Sequence, residues 1–316
     1  MKRDLPNFVV VGAPKCGTTS LYHYLRQHPQ VFLPQRKELH YFSFPHLSRL
    51  VAGPGDDSIL ATSSSTLEGY RAYFADVGGE KAIGDISPSY FHYADEVAPE
   101  IRRALGAPKI IVMLRDPVQK AFSQYMHLVR DAREDLSFPQ ALHAERERIE
   151  RGYSAMWRYA ESSLFTRRTQ RYMDEFGRDR VKVVLFDDLT RDPERTVEEI
   201  FAFLEVDPGV KVELDSTFNR SGAPRSRWVA NLITRPNPIT SAARKVLPLS
   251  LTGKVRDLLQ RANTGAKHQL DAQSREELWK FFAADTAELE QLLGRAVPWG
   301  ESARAAASPT LRKREA

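Results

Sequence analysis

Residues 8–28 constrain this chain more than any other stretch. Residues 8–11, Phe-Val-Val-Val, form a continuous apolar run rich in β-branched side chains, the pattern of a strand buried on both faces of a parallel sheet. Gly12, Pro14 and Gly17 then interrupt regular structure. Thr18, Thr19 and Ser20 open a segment whose apolar residues Leu21, Tyr24 and Leu25 recur at helical spacing. A strand, a glycine-containing loop and a helix N-terminus in that order turn backbone N–H groups toward one point, where the helix dipole adds positive potential. Lys15 contributes a full charge there, and the hydroxyls of Thr18, Thr19 and Ser20 contribute neutral donors. The stretch reads as an anion cradle, with phosphate or sulfate the expected occupant.

Gly12 and Gly17 keep the G-x-x-x-x-G spacing of a nucleotide P-loop, but Thr18 stands where the loop's Lys belongs. The lysine lies two residues before Gly17 instead, so its reach differs and hydrolysis of ATP or GTP is disfavoured. The plainer alternative is a strand-to-helix turn whose glycines serve geometry alone.

Further strands are expected at 31–33 (or an extended connector), weakly at 81–84, and strongly at 109–114 and 181–186. Helices are expected over 67–74, from Pro117 onward, over 138–151 and 160–176, from Pro193 to Leu204, and over 274–293. The last should turn Leu278, Phe281, Phe282, Leu289, Leu292 and Leu293 inward. Residues 45–66, rich in Ser, Gly, Pro and Asp, read as a surface excursion. Alternation of strand and helix predicts an α/β fold, a P-loop-like parallel β-sheet flanked by helices on both faces, with its ligand at the carboxyl ends of the strands. One domain over 1–301 is expected, with a basic helical cap at about 225–267 and a flexible tail over 302–316.

A chain of 316 residues with 42% apolar content suits a globular protein with a sizeable core. Its lone cysteine, Cys16, excludes an internal disulfide and fits a reducing compartment. Cys16 lies inside the anion loop, where its thiol pKa is open to lowering, although a small packing residue is the plainer reading. No run approaches a membrane span, and residues 1–6 enter the first strand almost at once; a soluble, cytoplasmic, bacterial enzyme is the expectation. The formal net charge of +5 suits a polyanionic ligand and is modest for a nucleic-acid binder, so no nucleic-acid partner is expected. Residues 220–267 carry ten Lys or Arg against Asp257 as the one acid. With its apolar residues, that segment reads as an acceptor lid, a peripheral membrane patch or, more plainly, a core-packed cap with a basic face. The histidines are scattered, His143 and His268 read as surface residues, and no metal cluster is expected.

Arg115 ends the strong 109–114 strand, and Ser123 lies about two turns into the following helix, so both can face one ligand. An Arg fork suits phosphate; the alternative is pairing with Asp116. Glu38 is a carboxylate beside the cradle and a candidate general base if partial burial raises its pKa, against the alternative of a solvated acid paired with Arg36 or Lys37. His40 is its rival.

The segment A-P-K-C-G-T-T-S-L, residues 13–21, resembles the 5′-phosphosulfate loop of sulfotransferases that use 3′-phosphoadenosine 5′-phosphosulfate (PAPS). K-E-L-H-Y-F, residues 37–42, resembles the acceptor-side motif of the heparan sulfate sulfotransferases and their bacterial relatives. The resemblance covers most of 6–130, loosely 180–230, and the closing helix to Trp299. It implies transfer of a sulfuryl group from PAPS to a hydroxyl or amine of a small-molecule, lipid or carbohydrate acceptor, with 3′-phosphoadenosine 5′-phosphate (PAP) as product and no metal. It implies donor binding by Lys15, Cys16, Gly17, Thr18, Thr19 and Ser20, 3′-phosphate binding by Arg115 and Ser123, and a late basic loop contributing Arg220 and Arg225. It places the catalytic base at Glu38, with His40 second. Residues 85–90, Asp-Ile-Ser-Pro-Ser-Tyr, resemble a further segment in which the related enzymes carry a Lys near the sulfuryl group; Ile86 stands there. Asp85 reads either as an acceptor-orienting acid or as a cap in a turn. The competing readings are a P-loop kinase and a non-catalytic binder of nucleic acid or anionic membrane.

Overall fold

The structure, a computed structural model, describes residues 5–214 and 270–300. Five strands, β1 (Phe8–Gly12), β2 (Val31–Phe32), β3 (Ala82–Ile86), β4 (Lys109–Leu114) and β5 (Val181–Leu185), form one parallel sheet in the order β2-β3-β1-β4-β5. The central strand β1 is buried along its whole length, as its unbroken apolar run requires. Its register sets Val9 beside Asp85 of β3 and beside Ile110 of β4. Helices cover the sheet, and the main core runs continuously through it. The carboxyl ends of β1, β3 and β4 open into one crevice, where a ligand site belongs in a sheet of this topology.

The weakly patterned 81–84 segment is thus a full neighbour of β1. The strand expected to end at Phe186 ends one residue earlier, because Phe186 opens the helix Phe186–Arg191 and leaves the sheet. The helix Pro117–Arg130 starts as expected at its proline, capped by Asp116, whose Oδ1 accepts from Gln119 N at 2.9 Å. The stretches 138–151 and 160–176 are more broken than expected. The first divides into Phe138–His143 and Glu145–Glu150, and the second holds a 3-10 turn, Glu161–Ser163, before the helix Thr166–Phe176. The closing helix, Ala272–Leu293, buries Leu278, Phe282, Leu289 and Leu292 but leaves Phe281 53% exposed, contrary to its expected inward face.

Residues 45–66 are not a mere surface excursion. Asp56 is buried; its carboxylate accepts from Gly53 N (3.0 Å), Ser154 N (2.9 Å), Ser154 Oγ (2.6 Å) and Trp157 Nε1 (3.0 Å), and pairs with Arg133. This carboxylate pins the excursion to distant parts of the chain. A smaller cluster that includes Val118, Phe138, Trp157 and Phe282 packs beneath the helix Pro117–Arg130. No helix among the described residues is long and apolar enough to cross a membrane. The basic segment 225–267, Arg220, Arg225, His268 and the tail lie outside the described residues.

Candidate active site

The chain leaves β1 through Gly12, whose φ of 134° lies in the region that glycine favours. A Cβ there would stand 2.5 Å from the Pro88 carbonyl oxygen. The loop is tied to β4 by Ala13 N donating to Met113 O at 2.7 Å. Gly17, at φ 91°, opens the helix α1 (Thr18–Leu25), and a Cβ on it would meet the Phe186 ring at 2.5 Å. The glycines therefore allow close approach of the loop to its neighbours. The first-turn N–H groups of α1 have no partner within the helix, and no acidic residue stands in that turn. This arrangement favours an anion.

A cleft of about 950 Å³ brings Lys15, Gly17, Thr18, Thr19, Glu38, His40, Arg115 and Ser123 together on one surface. Residues read from three separated stretches of sequence thus share one site. Arg115 has its guanidinium 4.7 Å from the Phe186 ring centroid, in cation–π geometry. Asp116 is occupied as a helix cap, so the alternative of an Arg115–Asp116 pair does not describe this strand end. Ser20 and Cys16 do not line the cleft. The Cys16 side chain is fully buried, and burial pushes its thiol up to about 12. Burial thus opposes any lowering by the loop, and Cys16 packs in the core as the plainer reading has it, its thiol facing Pro14 O at 3.6 Å.

Glu38 lies at φ 64°, and its side chain is 43% exposed. Burial alone would raise its pKa. Lys37, His40 and Lys15 outweigh burial and hold the carboxyl below its usual range, so the raised pKa set as the condition for a base is not met in the free protein, and the alternative pairing with Lys37 is present, at 2.5 Å. His40 is buried. Ser89 Oγ lies 2.7 Å from its Nδ1, and Glu38 Oε2 lies 3.7 Å from its Nε2. Burial depresses its pKa to about 4, against the pull of Glu38, so its ring is neutral at pH 7. Asp85 is neither an acceptor-orienting acid nor a turn cap. It is enclosed in the core, accepting from Tyr70 Oη (3.0 Å), Tyr90 Oη (2.7 Å) and Ser87 Oγ (2.7 Å). Ser87 Oγ in turn accepts from His40 N at 3.2 Å, so Asp85 reaches the site only as a support for the His40 backbone.

Several participants were not singled out from sequence. Arg130 and Arg275 line the cleft, Phe186 backs Arg115, and Lys37 bonds to both Thr18 and Glu38. The approach of Phe186 and Arg275 to the loop comes from tertiary packing and leaves no local pattern. Lys37 was visible beside Glu38, but its contact with Thr18 was not. His143 is exposed, as expected, with its Nδ1 2.8 Å from Pro139 O. Among the described residues no group of three or more His, Cys, Asp or Glu is placed to hold a metal.

Lys15 gives a pH-dependent test. Burial, then Arg130, pulls its pKa down to about 8, against the opposing pull of Asp131 and Glu38. An anion needs the protonated form, which is full below pH 8 and lost above it. Binding of a nucleotide phosphate restores the charge and takes up a proton. The affinity for an anion seated on Lys15 should therefore be flat below about pH 7 and fall above pH 8, by up to about tenfold per pH unit. Calorimetry at about pH 9 in buffers of different ionisation enthalpy should show uptake approaching one proton. Equal uptake by Lys15→Met would assign the proton to another group.

A glycine loop carrying a lysine and a helix N-terminus shares one strand-end crevice with a carboxylate, an arrangement suited to an anionic ligand. Comparison with known proteins is more specific: the model of the Sulfotransferase family matches residues 6–208, and the chain belongs to that family. It is 30% identical over 164 residues to the membrane-associated sulfotransferase kil1 of Dictyostelium discoideum, covering 50% of this chain and 32% of that protein. It is 31% identical over 154 residues to carbohydrate sulfotransferase 15 of Mus musculus, covering 40% and 28%. The chain thus matches about a third of the length of these curated relatives. The crystal structure of a sulfotransferase from Alicyclobacillus acidocaldarius is similar at a TM-score of 0.75 and 35% identity, over 95% of this chain and 99% of that one. The fold is the P-loop-like α/β fold of the sulfotransferases.

Proposed function

We propose that this chain transfers the sulfuryl group of PAPS to a hydroxyl or amine of an acceptor. The observation that carries this reading is the convergence of the Lys15 loop, Glu38, and the Arg115–Ser123 pair on one cleft. The loop N–H groups, Thr18, Thr19 and Lys15 hold the 5′-phosphosulfate end. Arg115 and Ser123 hold the 3′-phosphate, and Arg220 and Arg225, outside the described residues, are further candidates for it. The acceptor oxygen attacks sulfur in line; the S–O bond to the 5′-phosphate breaks, and its electron pair leaves with the bridging oxygen on PAP. Lys15 stabilises the charge growing there. Glu38 takes the acceptor proton. Its side chain is 43% exposed and lines the cleft, whereas His40 is buried with its Nδ1 engaged by Ser89. A carbohydrate acceptor is favoured by the likeness to carbohydrate sulfotransferase 15. The kinase reading asks for a lysine after Gly17, where Thr18 stands.

The test is nucleotide binding. PAP should bind in the presence of chelator, and ATP should compete poorly. Arg115→Ala should weaken PAP by about 1.5–3 kcal/mol, roughly tenfold to over a hundredfold, while adenosine 5′-phosphosulfate, which lacks the 3′-phosphate, should lose little. Equal losses for both nucleotides would remove Arg115 from the 3′-phosphate site. Equal affinity for ATP, or strict Mg²⁺ dependence, would favour the kinase.

A further inference from the structure

Lys37 is a charged group beside the anion loop that the proposed chemistry leaves without a task. Its ammonium donates to Thr18 Oγ1 at 3.3 Å, on the anion loop, and to Glu38 Oε1 at 2.5 Å. Its side chain is 14% exposed, so the ammonium is largely shielded from solvent and bridges two residues that line the cleft. Glu38 N also donates to Ile86 O at 3.0 Å, which seats the Lys37–Glu38 turn against the end of β3.

We propose that Lys37 is the second cation of this active site and donates to a non-bridging oxygen of the transferring sulfuryl group, opposite Lys15. This rests on the sulfotransferase reading. In the free protein the ammonium is held by Glu38. An incoming sulfuryl oxygen competes for it, and the carboxylate is loosened as the donor seats. Lys37 exerts the largest of the pulls that lower the Glu38 pKa, so sharing it with the donor makes Glu38 a stronger base when a sulfuryl group is present to transfer. Donor binding and base activation are thereby coupled through one side chain.

PAP and PAPS separate this role from a structural one, because PAP lacks the sulfuryl group. Lys37→Met keeps much of the side-chain length and removes the charge. Without acceptor present, it should leave PAP affinity within about threefold of wild type and weaken PAPS about tenfold or more. Lys37→Arg should recover part of the PAPS affinity. In turnover, the acid limb of kcat should move to higher pH in Lys37→Met, because Glu38 loses its main cationic neighbour. Retained PAP binding shows that the variant is folded. Equal losses for PAP and PAPS, or no loss for either, would overturn the proposal and leave Lys37 as a mere tether of Glu38. Failure of the wild-type protein to bind either nucleotide would be a separate result, overturning the donor reading on which the proposal stands.

Discussion

Glu38→Gln should lower kcat by about 10²–10⁴-fold, the usual contribution of a general base, and leave PAP affinity unchanged or slightly improved. The substitution keeps shape and hydrogen bonding but removes the basic carboxylate. It also removes a negative charge facing Lys15 and Lys37, which is why donor binding should not suffer. His40→Asn should cost less. The His40 ring is 6% exposed, its Nδ1 is engaged with Ser89, and its Nε2 lies 3.7 Å from Glu38 Oε2, so it is less accessible to an acceptor than Glu38. The measurement is single-turnover transfer to a working acceptor, with nucleotide binding checked on each variant. Near-normal transfer by Glu38→Gln with inactive His40→Asn would exchange the two roles. Full activity in both would place the base elsewhere. Asp85 is then a poor successor, because its oxygens are spent on Tyr70, Tyr90 and Ser87 within the core.

Much of this site was legible in sequence because its parts are local. The loop carries its meaning in residues 12–20, where two glycines, a lysine and three hydroxyls follow a strand. Arg115 and Ser123 are related by a helix period, which sequence spacing reports directly. What sequence could not report was the balance of opposing forces at one residue. The base reading of Glu38 hung on a rise in pKa by burial, and burial does push that way, but Lys37, with His40 and Lys15, decides the outcome. Cys16 shows the reverse case: the cations near the loop pull its thiol down, yet complete burial wins. Phe186 was read as the last residue of a strand, where an apolar residue is unremarked. Its place against Gly17 and Arg115 depends on the turn out of β5. Residues 45–66 look like a loop by composition, and most of them are one. The single buried acid among them finds its partners about eighty to a hundred residues away, a distance over which no local pattern speaks.

That acid supports the largest stability prediction. Asp56→Ala should destabilise the protein by about 3–5 kcal/mol, the cost of breaking a buried ion pair and leaving one charge behind. The side chain of Asp56 is 1% exposed and that of Arg133 is 18% exposed, so water cannot readily replace the lost carboxylate. Removing it also strands the Trp157 indole N–H, the Ser154 hydroxyl and two backbone N–H groups. Asp56→Asn should cost nearly as much, because its amide NH₂ would face donors in place of an acceptor. Asp57→Ala, an exposed acid one residue away, should stay within about 0.5 kcal/mol of wild type. A thermal melt should register the Ala variant as a drop of roughly 6–20 °C. The functional consequence should be one-sided. Asp56 holds together residues 53–59 and 154–157, parts of which line the cleft wall, whereas the nucleotide loop is fixed by β1, β4 and α1. At a temperature where the variant is still folded, PAP affinity should therefore persist while transfer to the acceptor falls through a higher KM. A melt within 2 °C of wild type would show that the carboxylate contributes little to the fold. Loss of PAP binding in a folded variant would show that this wall and the nucleotide loop are mechanically one unit.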